Sequence, residues 1–163
     1  MTKDEIQSLV DRSLFADLGF LTENGAPAVR RVFCTWHKGL ARHMISTNTS
    51  SCHVKRLKEN PVCCLYFSDT ESFEGACFSG RAVIRQDAEA RLLLWHEEDV
   101  QYYPLGVDDP DYCVIELIAD SCAFYRFDGK GVLTSGEMEE FDADAQYRDG
   151  YSEWQRKGGV SPD

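Results

Sequence analysis

The sequence predicts a mainly β domain, an antiparallel barrel of six to seven strands with short flanking helices. Apolar runs of six to ten residues recur along the chain, and turns containing Gly, Asn or Pro separate them. These runs rarely alternate with helical segments, which argues against a doubly wound parallel sheet. A length of 163 residues with 43% hydrophobic content is sufficient for one core. We therefore expect a single barrel domain.

The N-terminal part predicts a helix followed by a three-stranded meander. Residues 2–13 place apolar side chains at helical spacing, so they form the first predicted helix. Asn24-Gly25 is a strong signal for a tight turn between the first two strands. The turn after the second strand contains His37, which we expect to be exposed. The three predicted strands span 14–21, 28–36 and 40–47.

Further helices and strands follow the meander. Residues 48–51 are all capping types and predict a helix over 52–59, which Asn60-Pro61 ends. Asp87 is predicted to cap another helix that continues to about residue 97. Its inward-facing side chains are predicted to be Leu92, Leu93 and Trp95. The later strands are predicted at 62–67, where an unbroken apolar run suggests burial on both faces, and at 76–85, 112–117 and 122–127.

The C-terminal segment differs from the rest in composition. From Gly136 onward it holds eight acids and three bases, with four aromatic residues as its only large apolar anchors. Such a segment buries little apolar surface. We therefore predict two parts, a barrel domain at 1–130 and an acidic tail at 131–163 that is peripheral or partly disordered.

Cellular location and redox state are suggested by what the chain lacks. No window approaches the roughly 20 apolar residues needed to span a bilayer, and the N-terminus is polar, so we expect a cytoplasmic protein away from membranes. The seven cysteines contain no C-x-x-C pair, and we interpret them as reduced, mostly buried side chains without a disulfide or metal site. Cys63 and Cys64 are adjacent in a predicted strand and should point to opposite faces.

Charge is unevenly distributed along the chain. The net charge of −11 disfavours a nucleic-acid surface. Residues 29–60 nevertheless carry a net charge of +6 and three of the four histidines. A short basic segment in an acidic protein suggests a small anionic ligand, and a solvated basic face is the alternative interpretation.

Within this basic segment, a strand, a hydroxyl-rich loop and a helix start come together. The loop and its flanks from Ser46 to Ser51 offer hydroxyls, and the helix that follows offers free backbone N–H groups and the positive end of its dipole. Arg30 and Arg31 lie on an earlier strand, so one of them must point to each face. The pattern suggests an anion pocket, and simple helix capping explains the same residues.

Five segments of the chain occur in the order found in a known family. They read GAPAVRRVFCTWHKG, MISTNTSSCHVKRLKENPVCCLYF, EGACFSGRAVI, LW and YPLGVDDPDYCVI. Over residues 5–127 they resemble the FMN-binding split-barrel family of pyridoxamine 5′-phosphate oxidase, in particular its general-stress-protein branch. The resemblance implies a split β-barrel that forms a homodimer, with the isoalloxazine ring of FMN lying across the dimer interface.

The resemblance also implies a set of cofactor-binding residues. The motif T-x-x-x-S-x-(basic)-x-x-x-L-x-x-N-P fits residues 47–61 without gaps. His53 stands where the family usually has a lysine, and Cys52 stands where a basic residue is common, so the phosphate site carries less charge. Lys55 is close enough in sequence to compensate. The implied FMN-binding residues are Arg30, Arg31, Val32, Ser46, Thr47, Ser51, His53 and Lys55.

The implied function is that of an FMN-dependent oxidoreductase acting on an unknown small substrate. The basic, Trp-containing C-terminal segment of the true oxidase is replaced here by the acidic tail, which argues against genuine pyridoxamine-phosphate oxidase activity. No nucleophile–base or paired-carboxylate motif identifies a catalytic residue. A flavin storage or sensing protein without turnover, and a barrel that binds haem or deazaflavin, remain as alternatives.

Overall fold

The computed structural model describes residues 1–33, 36–141, 144–148 and 150–159, and these contain nine strands and five α-helices. The strands are β1 (Phe15–Leu21), β2 (Pro27–Phe33), β3 (Trp36–Lys38), β4 (Arg42–Asn48), β5 (Val62–Asp69), β6 (Glu74–Arg85), β7 (Tyr112–Arg126), β8 (Gly129–Thr134) and β9 (Ala145–Tyr147). The helices are α1 (Lys3–Arg12), α2 (Cys52–Glu59), α3 (Ala88–Leu94), α4 (Ser135–Glu139) and α5 (Gly150–Arg156). Two 3₁₀ turns lie at Glu97–Gln101 and Gly106–Asp108.

All strand pairs are antiparallel and form one curled sheet. The strand order is β2-β1-β5-β6-β7-β4-β3-β9, and β8 also pairs with β7. The 15-residue β7 therefore has three neighbours: β6 along one edge, and β4 and β8 along successive halves of the other. This half-barrel confirms the predicted fold class, and it adds β3, β8 and β9 to the strands that were predicted.

A β-bulge marks the point where β7 changes partners. The register between β6 and β7 shifts at Ser79/Gly80. A side chain at Gly80 would collide with the backbone of Ile118 and Ala119, so only glycine lets the two strands approach here. Because a bulge bends and twists the strand that contains it, this position helps the sheet to curl.

The core lies inside the curl and is closed at one end by α1. Thr2 and Glu5 form a capping box at the start of this helix, as the acidic first turn of the predicted helix suggests. Its apolar face contributes Ile6, Leu9 and Val10, each at most 2% exposed, to the main core cluster. Burial of side chains of this kind typically contributes about 1.5–3 kcal/mol each.

Several sequence-based expectations need correction. The strands predicted at 112–117 and 122–127 are one continuous strand that ends at Arg126, because Asp120 and Ser121 lie within β7 rather than in a turn. The β5 strand is buried on alternate residues only, because one of its faces is the outer surface of the sheet. His37 was expected to be exposed, but it lies in β3 and is only 7% exposed.

The helix after Asp87 is shorter than predicted, and other side chains face inward. Asp87 caps α3 as expected, and the helix ends at Leu94. The buried side chains are Ala90 and Leu94, whereas Leu92 is 64% and Leu93 42% exposed. Only the side of the short helix that carries Ala90 and Leu94 is buried, so the two additional leucines lie on its exposed side.

The segment after residue 130 supplies ordered elements that pack on the barrel. The predicted boundary at residue 130 falls inside β8, which pairs with β7. Met138 of α4 is 1% exposed and belongs to the main core cluster, against which Phe141 also packs. The short β9 pairs with β3. The expectation that this segment contributes little to the core is therefore wrong at Met138.

The cysteines follow the alternation of the strands. Cys63 is buried and Cys64 is half-exposed, as predicted for neighbours in a strand. Cys113 and Cys122 are buried, whereas Cys52 is exposed on α2. Cys34 lies outside the described residues. No helix in the described ranges has the length and apolarity needed to cross a bilayer.

Candidate functional site

A cleft of about 620 Å³ lies between the start of α2 and the C-terminal helix α5. One wall comes from β2, the end of β4 and the first turn of α2. The other wall comes from residues 94–103 and α5. Its lining includes Arg30, Arg31, Val32, Phe33, Ser46, Thr47, Asn48, Ser51, His53, Leu94, His96, Glu98, Asp99, Tyr102, Tyr103, Tyr151, Ser152 and Trp154.

Register assigns the two arginines of β2 to opposite faces. Arg30 is paired with Leu18, which is fully buried on the inner face. Arg31 is paired with Asp17 on the outer face and donates two hydrogen bonds to its carboxylate at 3.0 and 3.2 Å. Within the described part of the chain, the Arg30 guanidinium has no ion pair or hydrogen bond. Arg30 is therefore the arginine available to an anion in the cleft.

Thr47, Ser51 and His53 form a compact cluster at the start of α2. The His53 Nε2 atom lies 3.1 Å from Thr47 Oγ1 and 3.3 Å from Ser51 Oγ. Ser51 is also the N-cap of the helix, with its Oγ accepting a hydrogen bond from the Val54 N–H. The sequence brings these groups together because β4 ends and α2 begins within five residues.

His53 is buried and faces a positive charge. It is 7% exposed, and its Nδ1 atom has no hydrogen-bond partner in the described chain. Burial lowers the pKa of His53 from its ordinary value, and the nearby charge of Arg30 lowers it further. The imidazole is therefore neutral at pH 7, and a negatively charged group placed beside it would raise its pKa again.

The remaining hydroxyls of the loop have a partner inside the protein. The Asp111 carboxylate accepts hydrogen bonds from the Thr49 hydroxyl at 2.7 Å and from the Ser50 N–H at 2.8 Å. These hydrogen bonds lower the pKa of Asp111, and the bond from the Thr49 hydroxyl has the largest effect. Thr49 and Ser50 thus hold the loop in place, whereas Thr47 and Ser51 line the cleft.

Seven of the eight predicted site residues line the cleft. Val32 and Ser46 border it from β2 and β4, beside Arg30 and Thr47. Arg31 borders it as well, although its guanidinium is held by Asp17 on the outer face. Lys55 is exposed on α2 and is not among the lining residues, so the structure does not place it where it would compensate for His53.

The opposite wall is aromatic, and sequence reasoning did not identify it. Tyr151 and Trp154 of α5 pack against Phe33, with ring centroids 5.2 and 5.8 Å apart. The Tyr102 and Tyr151 hydroxyls lie 2.6 Å apart and join α5 to the loop after α3. The only sequence signal was the spacing of Tyr151 and Trp154, which is that of neighbours on one helix face.

A further histidine, His96, also borders the cleft. His96 is half-buried, and its ring packs on Tyr147 with centroids 5.3 Å apart. Its backbone N–H donates to the Asp99 carboxylate at 3.1 Å, which caps the following 3₁₀ turn.

Comparison with known proteins identifies the family. The sequence model described as pyridoxamine 5′-phosphate oxidase matches residues 2–126, which is most of the chain and includes one wall of the cleft. The chain belongs to the pyridoxamine 5′-phosphate oxidase family. No match was found among curated protein sequences.

One solved structure at 34% identity supports this assignment, and two more distant ones share the fold. A protein from Clostridium acetobutylicum related to general stress protein 26 of B. subtilis is 34% identical, with a TM-score of 0.74 over 85% of this chain and 99% of its own. An FMN-binding protein from Nostoc punctiforme shares the fold at 14% identity, with a TM-score of 0.67 over 90% of this chain and 95% of its own. A heme binding protein from Mycobacterium smegmatis shares the fold at 17% identity, with a TM-score of 0.70 over 87% of this chain and 61% of its own.

Proposed function

We propose that this protein binds FMN in the cleft and is an FMN-dependent oxidoreductase for a small substrate. Arg30, Thr47, Ser51 and His53 would hold the phosphate, and the aromatic wall around Trp154 would lie along the flat ring. The observation that carries the proposal is the unpaired Arg30 guanidinium, which faces a cluster of hydroxyls and an imidazole in a cleft of suitable size.

The donor set fits a phosphate monoester. A guanidinium and two hydroxyls supply strong and adaptable donors, and hydrogen bonds between charged groups are the strongest available to a protein. The unpartnered Nδ1 of His53 shows that this imidazole has unused hydrogen-bonding capacity. The membership in a family with an FMN-binding relative supports the same ligand.

Each side of the cleft would have a separate task. When bound, FMN supplies two-electron redox chemistry through its own ring system. The chain's residues bind the phosphate on one side, orient the ring on the other, and exclude water with Phe33, Tyr151 and Trp154. Turnover with a reduced nicotinamide and an electron acceptor would distinguish an oxidoreductase from a flavin storage or sensing protein.

The phosphate site is tested by titrating the purified protein with FMN and with riboflavin, which lacks the phosphate. We expect Arg30→Ala to weaken FMN binding about ten- to a hundredfold, because one charge-assisted hydrogen-bond donor is worth about 1.5–3 kcal/mol. Arg31→Ala is the matched control on the same strand and should leave FMN affinity nearly unchanged. Thr47→Ala and Ser51→Ala should have smaller effects, and His53→Lys should tighten binding at neutral pH by adding a charge.

Riboflavin affinity should respond weakly to all of these substitutions. If FMN and riboflavin respond alike, the phosphate does not lie at the start of α2. The absorption spectrum of the purified protein gives an independent check, because flavin bands support the proposal. A Soret band would instead assign the cleft to haem, the ligand class of the heme binding protein from Mycobacterium smegmatis.

A further inference from the structure

The two walls of the cleft carry opposite charge. One wall belongs to residues 29–60, which have a net charge of +6, and it contributes Arg30 and His53 to the lining. The opposite wall includes residues from the segment 94–112, which holds six acidic residues and neither lysine nor arginine. Glu98 and Asp99 of that segment line the cleft. A ligand in the cleft would therefore meet a positive surface on one side and a negative surface on the other.

The two carboxylates of the negative wall differ in how they are held. Asp99 accepts a hydrogen bond from the His96 N–H at 3.1 Å, so its side chain is fixed at the start of the 3₁₀ turn. Glu98 is exposed on the same turn, and within the described ranges it has no ion-pair or hydrogen-bond partner. Asp99 thus adds a fixed negative charge to the wall, and Glu98 adds one that is not yet paired.

Aromatic rings lie beside these carboxylates. Tyr102 follows Glu98 by four residues, and its backbone N–H donates to the Asp99 carbonyl at 2.9 Å. Its ring packs edge-on against Tyr151 with centroids 6.2 Å apart, and Tyr103 also lines the cleft. Aromatic faces attract ammonium groups through their quadrupole, and a nearby carboxylate adds a charge of opposite sign. This wall therefore has both features that bind organic cations.

We propose that the cleft takes an organic cation as its second ligand, namely a protonated amine carried on a small apolar group. This assignment rests on the proposed function, because the phosphate of FMN would take the basic side and leave the negative wall to the substrate. His53 is 7% exposed, and its Nδ1 has no hydrogen-bond partner in the described chain. That buried, unpartnered atom independently indicates that the cleft is a ligand site.

Charge also disfavours an anionic second ligand. A carboxylate or phosphate on that ligand would lie near Glu98 and Asp99, where charges of the same sign repel. Arg31 does not offset this repulsion, because its guanidinium donates two hydrogen bonds to Asp17 on the outer face. The two sides of the cleft would therefore separate the anionic cofactor from a cationic substrate.

The cation site is tested by calorimetric titration of the full-length protein, with and without FMN, using benzylammonium and the neutral benzyl alcohol of similar shape. We expect benzylammonium to bind about tenfold more tightly, because carboxylates and rings both act on its charge. Glu98→Gln should weaken benzylammonium binding about two- to fivefold, as for one exposed ion pair, and leave benzyl alcohol binding unchanged. Glu97→Gln is the matched control, since Glu97 lies on the same turn but is not among the described residues that line the cleft.

Three outcomes would overturn the assignment of a cation. They are equal affinities of the native protein for benzylammonium and benzyl alcohol, a preference for the cation that persists unchanged in Glu98→Lys, and the absence of measurable benzylammonium binding. Because exposed charges are screened by salt, the preference should also weaken at high ionic strength.

Failure of the cation site and failure of the FMN proposal are distinguishable. Arg30→Ala should weaken FMN binding and leave the preference for benzylammonium in place. If the protein does not bind FMN at all, the proposed function is wrong. The ratio of the two affinities, measured without FMN, would still decide whether the negative wall selects cations.

Discussion

At the residue scale, two histidines are held neutral beneath α1. His43 packs on Phe78 with ring centroids 4.5 Å apart, and its Nε2 lies 3.1 Å from the Leu40 carbonyl. Its burial, and secondarily the neighbouring His37, lowers the pKa of His43 to about 3. His37 lies 2.7 Å from the Asp11 carboxylate, and burial lowers its pKa in spite of that partner. Both side chains must therefore gain protons when the protein unfolds in acid.

This arrangement predicts that the free energy of unfolding decreases as the pH is lowered. The folded protein keeps His43 neutral down to about pH 3. The unfolded chain protonates His43 below about pH 6.5, so the free energy of unfolding decreases by about 1.4 kcal/mol per pH unit from that residue. In urea unfolding, His43 alone should make the free energy of unfolding about 2 kcal/mol lower at pH 5 than at pH 6.5. His37 and His53 add to the loss, because their pKa values are also lowered.

The variant His43→Gln isolates this contribution. Glutamine retains a donor for the Leu40 carbonyl but does not titrate, so the decrease between pH 6.5 and 5 should shrink by about 2 kcal/mol. Between pH 7 and 8 the native protein and the variant should show the same pH dependence. An unchanged decrease in the variant between pH 6.5 and 5 would contradict the assignment.

At the element scale, local signals predicted the helices of the N-terminal half better than the long strands. The bounds of α2 were predicted at both ends, because Ser51 as a cap and Pro61 as a terminator act within a few residues. The strand β7 was predicted as two, because Asp120 and Ser121 are polar residues in an apolar run. Their position on an outer face, which makes their polarity acceptable, depends on strands far away in sequence.

The bulge at Gly80 gives a test at this scale. Gly80→Ala would force a methyl group against the Ile118 and Ala119 backbone, where neither strand can give way cheaply. We expect a loss of about 2–3 kcal/mol in the free energy of unfolding, as for other overpacked sites. Gly129→Ala is the matched control, since a Cβ atom there meets nothing within 4 Å. Equal losses in the two variants, measured by urea unfolding, would show that the close approach is not needed.

At the scale of the whole molecule, the cleft combines residues that no short motif connects. Arg30 and the Thr47–His53 cluster were predicted because they lie within one basic segment. Trp154 and Tyr151 come from the acidic segment, whose composition suggested a solvated tail. Their place opposite Arg30 follows from the packing of α5 on Phe33, and that contact joins positions more than a hundred residues apart.

Among the described strands, β2 forms an edge of the sheet, and this edge suggests where a second copy would bind. β2 is at the end of the strand order, and Val29 on it is 70% exposed beside Arg30. Unpaired edges of this kind are ready to accept another strand or chain. We propose that the homodimer implied by the family resemblance forms along this edge. Sedimentation at micromolar concentration should then show twice the 18.5 kDa mass of the chain.

A lysine at the edge should weaken that dimer, because edge lysines oppose further pairing. We expect Val29→Lys to shift the protein toward monomer in the same sedimentation experiment. Val132→Lys on β8, where the native side chain is 64% exposed, serves as the control and should leave the mass unchanged. A native protein that sediments as a monomer with FMN still bound would contradict the proposal.

The way in which α5 is attached bears on the residence time of a ligand. This seven-residue helix is joined to the barrel mainly through aromatic contacts with Phe33, the Tyr102–Tyr151 hydroxyl pair and the Arg148 bond to the Asp11 carbonyl. Such peripheral elements open at a much smaller free energy than global unfolding requires. Detachment of α5 would open the wall of the cleft that it shares with residues 94–103, while every strand pair of the sheet stays formed. Ligand exchange would then follow the opening rate of one short helix, independently of the stability of the barrel.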